Sequence, residues 1–340
     1  MTHSNLTFVP GFRVGSAENP EAATGCTVVL CPKEGATFGL ARFGGAIGTR
    51  QTDSGESGHV VDGCHAVLLT GGSAFGLDAS GGVLHYLEER GIGFATRAAR
   101  VPIVPSAVIY DLGIGSADVR PDAAMARAAC EEAELGSALR LGNAGAGCGA
   151  TVGKLRGMDH AMKGGLGSAG MEVRPGLFLA ALAAVNPVGD VLSGPGGPIL
   201  AGVRRAPDSM EFADSVQVLR ELAAGSAAGT NAGSAAGTAA GSISPEAIGP
   251  ENTILVVVAT NARLTKDGAR SLARIAGAGM ARVVRPVHLS GDGDVVFALA
   301  SGEESASPDL LGALATDLVA EAIVSAVRAA GPLHGVPAAG

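Results

Sequence analysis

The sequence predicts a layered α+β fold, and three observations predict it. The chain has 340 residues of which 47% are hydrophobic, enough to bury a large core. Its 53 glycines, with aromatics at only 3% and no Trp, point to small side chains packed in close layers. Strand-like and helix-like segments are mixed without a strict βαβ alternation, which favours layered α+β over a doubly wound parallel sheet.

The strand-like segments are short apolar runs. Cys26–Cys31 is a β-branched run stopped by Pro32, and Val101–Leu112 is an apolar run punctuated by prolines. Leu177–Val185 and Ile254–Ala259 read as strands buried on both faces, by their length and unbroken apolarity. Helices are expected over Ala74–Arg90, ending before Gly91, over Pro121–Glu134, over Lys266–Ala278 and over Pro308–Ala330.

Composition also excludes. A net charge of −8, with no Lys/Arg run, offers no stripe for phosphate contacts, so nucleic acid is not an expected partner. No uninterrupted apolar stretch approaches the roughly 20 residues that cross a bilayer, and Met1–Asn5 carries no basic residue of a signal peptide. The expectation is a cytoplasmic protein with no membrane partner. The five cysteines (Cys26, Cys31, Cys64, Cys130, Cys148) are odd in number and lack C-x-x-C spacing, so they read as small buried hydrophobes.

Motifs for cofactors fail on inspection. Cys148–Leu155 approaches a phosphate-binding loop, but Cys148 stands where Gly is needed and Leu155 where Ser or Thr is needed. Gly145, Gly147 and Gly149 do not match the dinucleotide fingerprint, and they read better as backbone packed tightly against a neighbour. The seven histidines form no H-x-x-H pair, and Asp292-Gly-Asp294 lacks the rest of a calcium loop. No cofactor and no metal are expected.

The organisation changes at Ala223–Ser242, a Gly/Ala/Ser/Thr tract of low complexity that reads as a flexible strap. After Pro245 and Pro250 come Glu251-Asn252-Thr253 and then the apolar run from Ile254. Taken alone, Asn252-Thr253 is a turn into a strand. Delivery of a polar pair by a loose tract to the mouth of a buried strand also suits a chain that is cut there. Thr is a poor nucleophile without a base, and an α-amine of pKa roughly 7.7–8.0 on the same residue can serve as one, provided cleavage exposes it.

Read together, the segments resemble a known family. They are Thr24–Pro32 (TGCTVVLCP), Thr70–Gly76 (TGGSAFG), Ser106–Asp111 (SAVIYD), Asn143–Gly149 with Lys154, Asn186-Pro-Val-Gly189, Asn252-Thr253 and Gly291-Asp-Gly-Asp294. Their order and composition resemble the N-terminal-nucleophile aminopeptidases, which include the L-aminopeptidase/D-esterase, the β-peptidyl aminopeptidases and the nylon-oligomer endo-amidase. The likeness runs from about Gly11 to the last helix.

The resemblance implies an αββα sandwich in a single domain of residues 1–340, self-processed into 1–252, with a flexible tail over about 223–250, and 253–340. It implies that Thr253 is the nucleophile with its own α-amine as base, that Asn186 and Tyr110 stabilise the oxyanion, and that Asp292 and Asp294 hold the amine. Lys154 matches a basic residue near the nucleophile. It further implies a hydrolase of peptides or amide oligomers acting through an acyl-enzyme, assembled as a homo-oligomer, commonly a tetramer of processed pairs. The aminopeptidase members carry Ser at the nucleophile position, so Thr253 is closer to the nylon-oligomer enzyme. Two other readings stay open at this point: an acyltransferase of the ornithine acetyltransferase type, and a non-catalytic binding protein.

Overall fold

A computed structural model describes residues 5–228, 249 and 251–339. Its principal strands are β1 (Arg13–Asn19), β2 (Thr24–Leu30), β3 (Ala36–Gly44), β4 (Ala66–Thr70), β5 (Ser106–Val108), β6 (Gly165–Arg174), β7 (Leu177–Asn186), β8 (Thr253–Arg263) and β9 (Gly293–Ser305). The helices are α1 (Ser80–Glu89), α2 (Ala123–Leu135), α3 (Ser215–Ala228), α4 (Lys266–Ala276), α5 (Ala278–Val283) and α6 (Pro308–Ala329).

Two sheets form the centre. One runs β6-β7-β8-β9-β3, with Gly63–Cys64 at its edge; the other runs β1-β2-β4-β5, with Thr49–Arg50 at its edge. In the first sheet only β8 and β9 are parallel, because α4 and α5 carry the chain back between them. This is a single βαβ crossover inside an otherwise antiparallel sheet, which agrees with the expected α+β layering.

Side-chain alternation builds the layers. Along β8, Ile254, Val256 and Val258 enter a core shared with α4, α5 and α6, while Leu255, Val257 and Ala259 enter the core between the sheets. Both faces of β8 are therefore buried, which is why its sequence is an unbroken apolar run and not an alternating one. Each such Val or Leu contributes roughly 1.5–3 kcal/mol relative to exposure. On the second sheet Val29 points to the same inter-sheet core, and Cys26, Val28 and Leu30 point outward to α1 and α2. The order helix, sheet, sheet, helix is the αββα sandwich. All five cysteines are free and buried within it.

The small residues set the spacing. A Cβ added at Gly167 of β6 would lie 2.1 Å from the Ala322 carbonyl oxygen, so α6 rests directly on the strand backbone. Helix α6 is long and apolar enough to span a bilayer, yet two-thirds of that stretch is buried in this core. It starts where the sequence places it, with Pro308 in the first turn and the Ser307 side chain accepting from Asp309 N–H.

The expected elements form, with differences that have local causes. The segment Ala74–Arg90 opens as a 3₁₀ turn, Ser73–Ala79, before α1 begins. The expected helix Lys266–Ala278 breaks at Gly277 into α4 and α5, where a Cβ would meet the Phe43 ring at 2.3 Å. Helix α3 was not anticipated, and it covers the first six residues of the tract expected to be a loose strap, Ala223–Ala228, since alanine is the best helix former. The remainder of that tract, 229–242, lies outside the described residues.

Candidate active site

Strand direction brings three chain ends together. Parallel strands start at one end of a sheet, so Thr253, first in β8, lies beside Gly293, first in β9. Strand β7 runs the other way, so its last residue, Asn186, reaches the same end and stands opposite Thr253 in register. A bridge between Asn252 and Asp292 extends the β8–β9 pairing one step before the strands begin. Strand register thus assembles Thr253, Asn186, Asp292 and Asp294, while Tyr110 and Lys154 come from loops that follow strands.

Thr253 is buried, and its Oγ1 donates at 2.6 Å to the carbonyl oxygen of Asn252, the residue before it. The same oxygen accepts the Gly293 N–H at 2.8 Å. The hydroxyl that would attack and the carbonyl that would be attacked are already in contact, with a second donor on the oxygen. Asn252 is itself buried and held by Nδ2 to the Gly249 carbonyl at 2.9 Å.

Asn186 is fully buried and bonded on both ends of its amide. Its Oδ1 accepts from Thr151 N–H and from Lys154 Nζ, each at 2.9 Å. Its Nδ2 donates to the carbonyl oxygens of Tyr110 at 3.0 Å and Glu251 at 3.2 Å. The Tyr110–Asn186 contact runs through the tyrosine backbone. Burial and the charge of Glu251 raise the phenol's pKa, so the hydroxyl keeps its proton at neutral pH and stays a donor.

Lys154 Nζ also donates to the Thr151 carbonyl at 3.1 Å and the Asn186 carbonyl at 2.9 Å. Loss of solvation around the ammonium lowers its pKa to about 7, against Glu251 and Asp292, whose charges favour the protonated form. A lysine that can lose its proton near neutrality beside this carbonyl cluster is a chemical resource.

The two aspartates have different surroundings. Asp294 accepts the Ile254 N–H on Oδ1 and faces His288 Nδ1 across its Oδ2, both at 2.7 Å. Asp292 accepts the Leu289 N–H on Oδ2 at 2.7 Å, and its buried Oδ1 has no partner among the described residues. Burial, reinforced by the charge of Asp294, pushes Asp292 up to about 6.

The remaining motif segments support this group from behind. The buried Asp111 carboxylate takes the Gly72 N–H and the Thr24 hydroxyl, each at 2.7 Å, and so ties three of the motif segments together next to Tyr110. Around Gly145–Gly149 the backbone is pressed against its neighbours, a Cβ on Gly147 falling 2.2 Å from Leu166 N. This is the packing use expected of those glycines. Glu251, Thr151, Gly293 and His288 take part in the site without having been singled out in the sequence. Gly293 sits inside the Gly-Asp-Gly-Asp motif, whereas His288 carries no motif at all.

A family model settles the relationship: that of peptidase family S58 matches residues 4–339. The chain belongs to peptidase family S58. It is 35% identical over 363 residues to an uncharacterized aminopeptidase of Mycobacterium tuberculosis (strain ATCC 25618 / H37Rv), covering 98% of this chain and 96% of that protein. It is 32% identical over 338 residues to a 6-aminohexanoate-oligomer endohydrolase of Kocuria sp. (strain KY2), covering 94% and 84%. Among solved structures, a Burkholderia sp. beta-aminopeptidase aligns with a TM-score of 0.66 at 21% identity, over 99% of this chain and 90% of that one. The L-aminopeptidase D-Ala-esterase/amidase of Ochrobactrum anthropi, described as a variant of the Ntn hydrolase fold, aligns at 0.65 and 20%, over 97% and 87%. This S58 peptidase shares that fold and is a hydrolase of amide C–N bonds.

Proposed function

We propose that this S58 peptidase cuts its own Asn252–Thr253 bond and then uses Thr253, as a new N-terminus, to hydrolyse amide substrates through an acyl-enzyme. The observation that carries this reading is the contact between Thr253 Oγ1 and the Asn252 carbonyl oxygen, buried at the head of the central strand.

After the cut, the Thr253 α-amine is the general base that takes the Oγ proton. The new ammonium has two carboxylates for partners. Asp294 is already bonded to the next residue in the chain, and Asp292 has a buried oxygen that lacks a donor among the described residues. Asn186 Nδ2, engaged by the Glu251 carbonyl in the uncut chain, is released when the preceding segment withdraws, and with the Tyr110 phenol it receives the oxyanion of the substrate. Lys154 holds the Asn186 side chain in place through Oδ1.

The substrate is a peptide or an amide oligomer, the two kinds of bond named for the aminopeptidase and endohydrolase relatives. The working form is a cytoplasmic homotetramer of processed chain pairs, 1–252 with 253–340, without nucleic acid or membrane as partner. A denaturing gel with N-terminal sequencing of the smaller band tests the core of the proposal. Thr253 is expected as its first residue, Thr253→Ala is expected to stay whole and inactive, and an intact wild-type chain that still turns over amides would sink the mechanism.

A further inference from the structure

The carbonyl to be cut has a donor that the substrate's carbonyl does not need to share. Asn252 O accepts from Gly293 N–H and from the Thr253 hydroxyl, whereas the Asn186 amide is spent on the carbonyls of Tyr110 and Glu251. To attack, the Thr253 hydroxyl must give up its bond to that oxygen and turn a lone pair toward the carbon. Gly293 N–H then remains as the donor in place. Resting on the self-cleavage reading above, we infer that the Gly293 amide is the oxyanion donor for self-cleavage, distinct from the Asn186–Tyr110 pair that serves the substrate.

Two features make this amide suited to the task. It is fixed, because Gly293 pairs with Gly44 on one side and reaches Asn252 on the other, so it cannot swing away as negative charge develops. It also has to belong to glycine. Gly293 does not lie in the left-handed backbone region, so conformation does not demand glycine there. Space does, since a Cβ would sit 2.9 Å from Thr253 Oγ1 and 2.5 Å from the Ala46 carbonyl oxygen. The absent side chain leaves room for the nucleophile next to the donor.

The chemistry balances within the chain. Thr253 Oγ bonds to the Asn252 carbonyl carbon, the carbonyl π electrons move to the oxygen facing Gly293 N–H, and the C–N bond then breaks as the electrons return. The hydroxyl proton ends on the released nitrogen, giving an ester at Oγ and a free α-amine. Water hydrolyses that ester to the Asn252 carboxylate and restores the Thr253 hydroxyl.

The test deletes one hydrogen. Full-length chain carrying glycolic acid at position 293, introduced by nonsense suppression, replaces that N–H with an ester oxygen and changes no side chain. Folded protein is isolated by size exclusion and its cleavage at 252/253 is timed by mass spectrometry. The expected result is a slowing of about 10²–10³-fold, as for other oxyanion donors. The analogous ester at Phe297 of the same strand controls for a weakened backbone and is expected to cleave near the wild-type rate. Cleavage of the 293 ester within about threefold of wild type overturns the donor, and so does equal slowing of the Phe297 ester. A wild-type chain that never splits removes the reaction itself, and with it both readings. A second arm separates the two donor sets: Asn186→Ala is expected to slow turnover of an amide substrate more than it slows self-cleavage.

Discussion

Thr253 and Asn186 face each other across β8 and β7, the last matched pair of an eight-residue antiparallel register. That register puts the side-chain amide of Asn186 beside the backbone that would be cut, and it fixes what a change at Asn186 should do. Asn186→Asp replaces an N–H donor with a carboxylate oxygen facing the carbonyls of Tyr110 and Glu251. Three acceptors then crowd together without a donor, at a cost of about 1–3 kcal/mol in stability. A fall in the melting temperature and a large loss of amide hydrolysis are expected. A stable, active Asp variant would show that the amide's donor end is idle.

Lys154 tests the same amide from its other end. Lys154→Met keeps the length of the side chain but leaves the carbonyls of Thr151 and Asn186 and Asn186 Oδ1 without the ammonium. Hydrolysis should fall at least tenfold. The pH dependence carries a sign of its own. The folded pKa of about 7 lies below the ordinary value, so between there and roughly pH 10.4 the unfolded chain holds the extra proton. Stability contributed by this group therefore rises with pH across that window. Melting curves of the uncut Thr253→Ala chain should show that rise, and the double variant with Lys154→Met should lack it.

How much of this was legible in the sequence depends on what each residue's signal rests on. Strand β8 was readable because burial on both faces demands an unbroken apolar run, and α6 because Ser307-Pro308 opens it. Strand β6 was not, since Gly165 and Gly167 serve the close approach of α6 and erase the usual β-branched pattern. The segment entering β9, Gly291-Asp-Gly-Asp294, reads locally as a turn, although Gly293 leaves room for Thr253 Oγ1 and Asp294 accepts the Ile254 N–H. The site residues came from an ordered likeness of short motifs. Spacing alone could not bring Tyr110, Asn186 and Asp292 together: sheet order sets Asn186 near Asp292, and Tyr110 reaches Asn186 from the other sheet. Gly293 could have been suspected as the spacer between two aspartates, but nothing in sequence distinguishes a donor N–H from any other.

Asp292 offers a trade between stability and function. Its carboxyl is held up at about 6, so the folded chain keeps a proton that the unfolded chain releases near pH 3.9. The sign follows: stability from this group is complete below the unfolded pKa and is lost as the pH rises through about 6. Asp292→Asn has no proton to lose and still accepts the Leu289 N–H. In the uncut Thr253→Ala chain, it is expected to flatten the decline between pH 4 and 6 and to raise stability at pH 7 by up to about 3 kcal/mol. In the cleavable chain, it should depress hydrolysis, because the new ammonium loses a carboxylate. A variant that is no more stable at pH 7 would show that burial at this position is relieved in another way.

His288 has no motif, and its part is to hold Asp294. The ring faces Asp294 Oδ2 at 2.7 Å and stacks on Phe43 with centroids 4.5 Å apart, while Oδ1 of the same carboxylate takes the N–H of Ile254, next to Thr253. Its backbone lies at φ +60°, a region that asparagine tolerates and alanine resists. His288→Ala removes the partner and the stack and leaves the strain, whereas His288→Asn keeps the backbone at ease and can present an amide donor. Self-cleavage is expected to slow about tenfold in the alanine variant and to recover by severalfold in the asparagine variant, read from the time course of the split on denaturing gels. If the asparagine variant is as slow as the alanine variant, His288 acts through packing on Phe43 and not through Asp294.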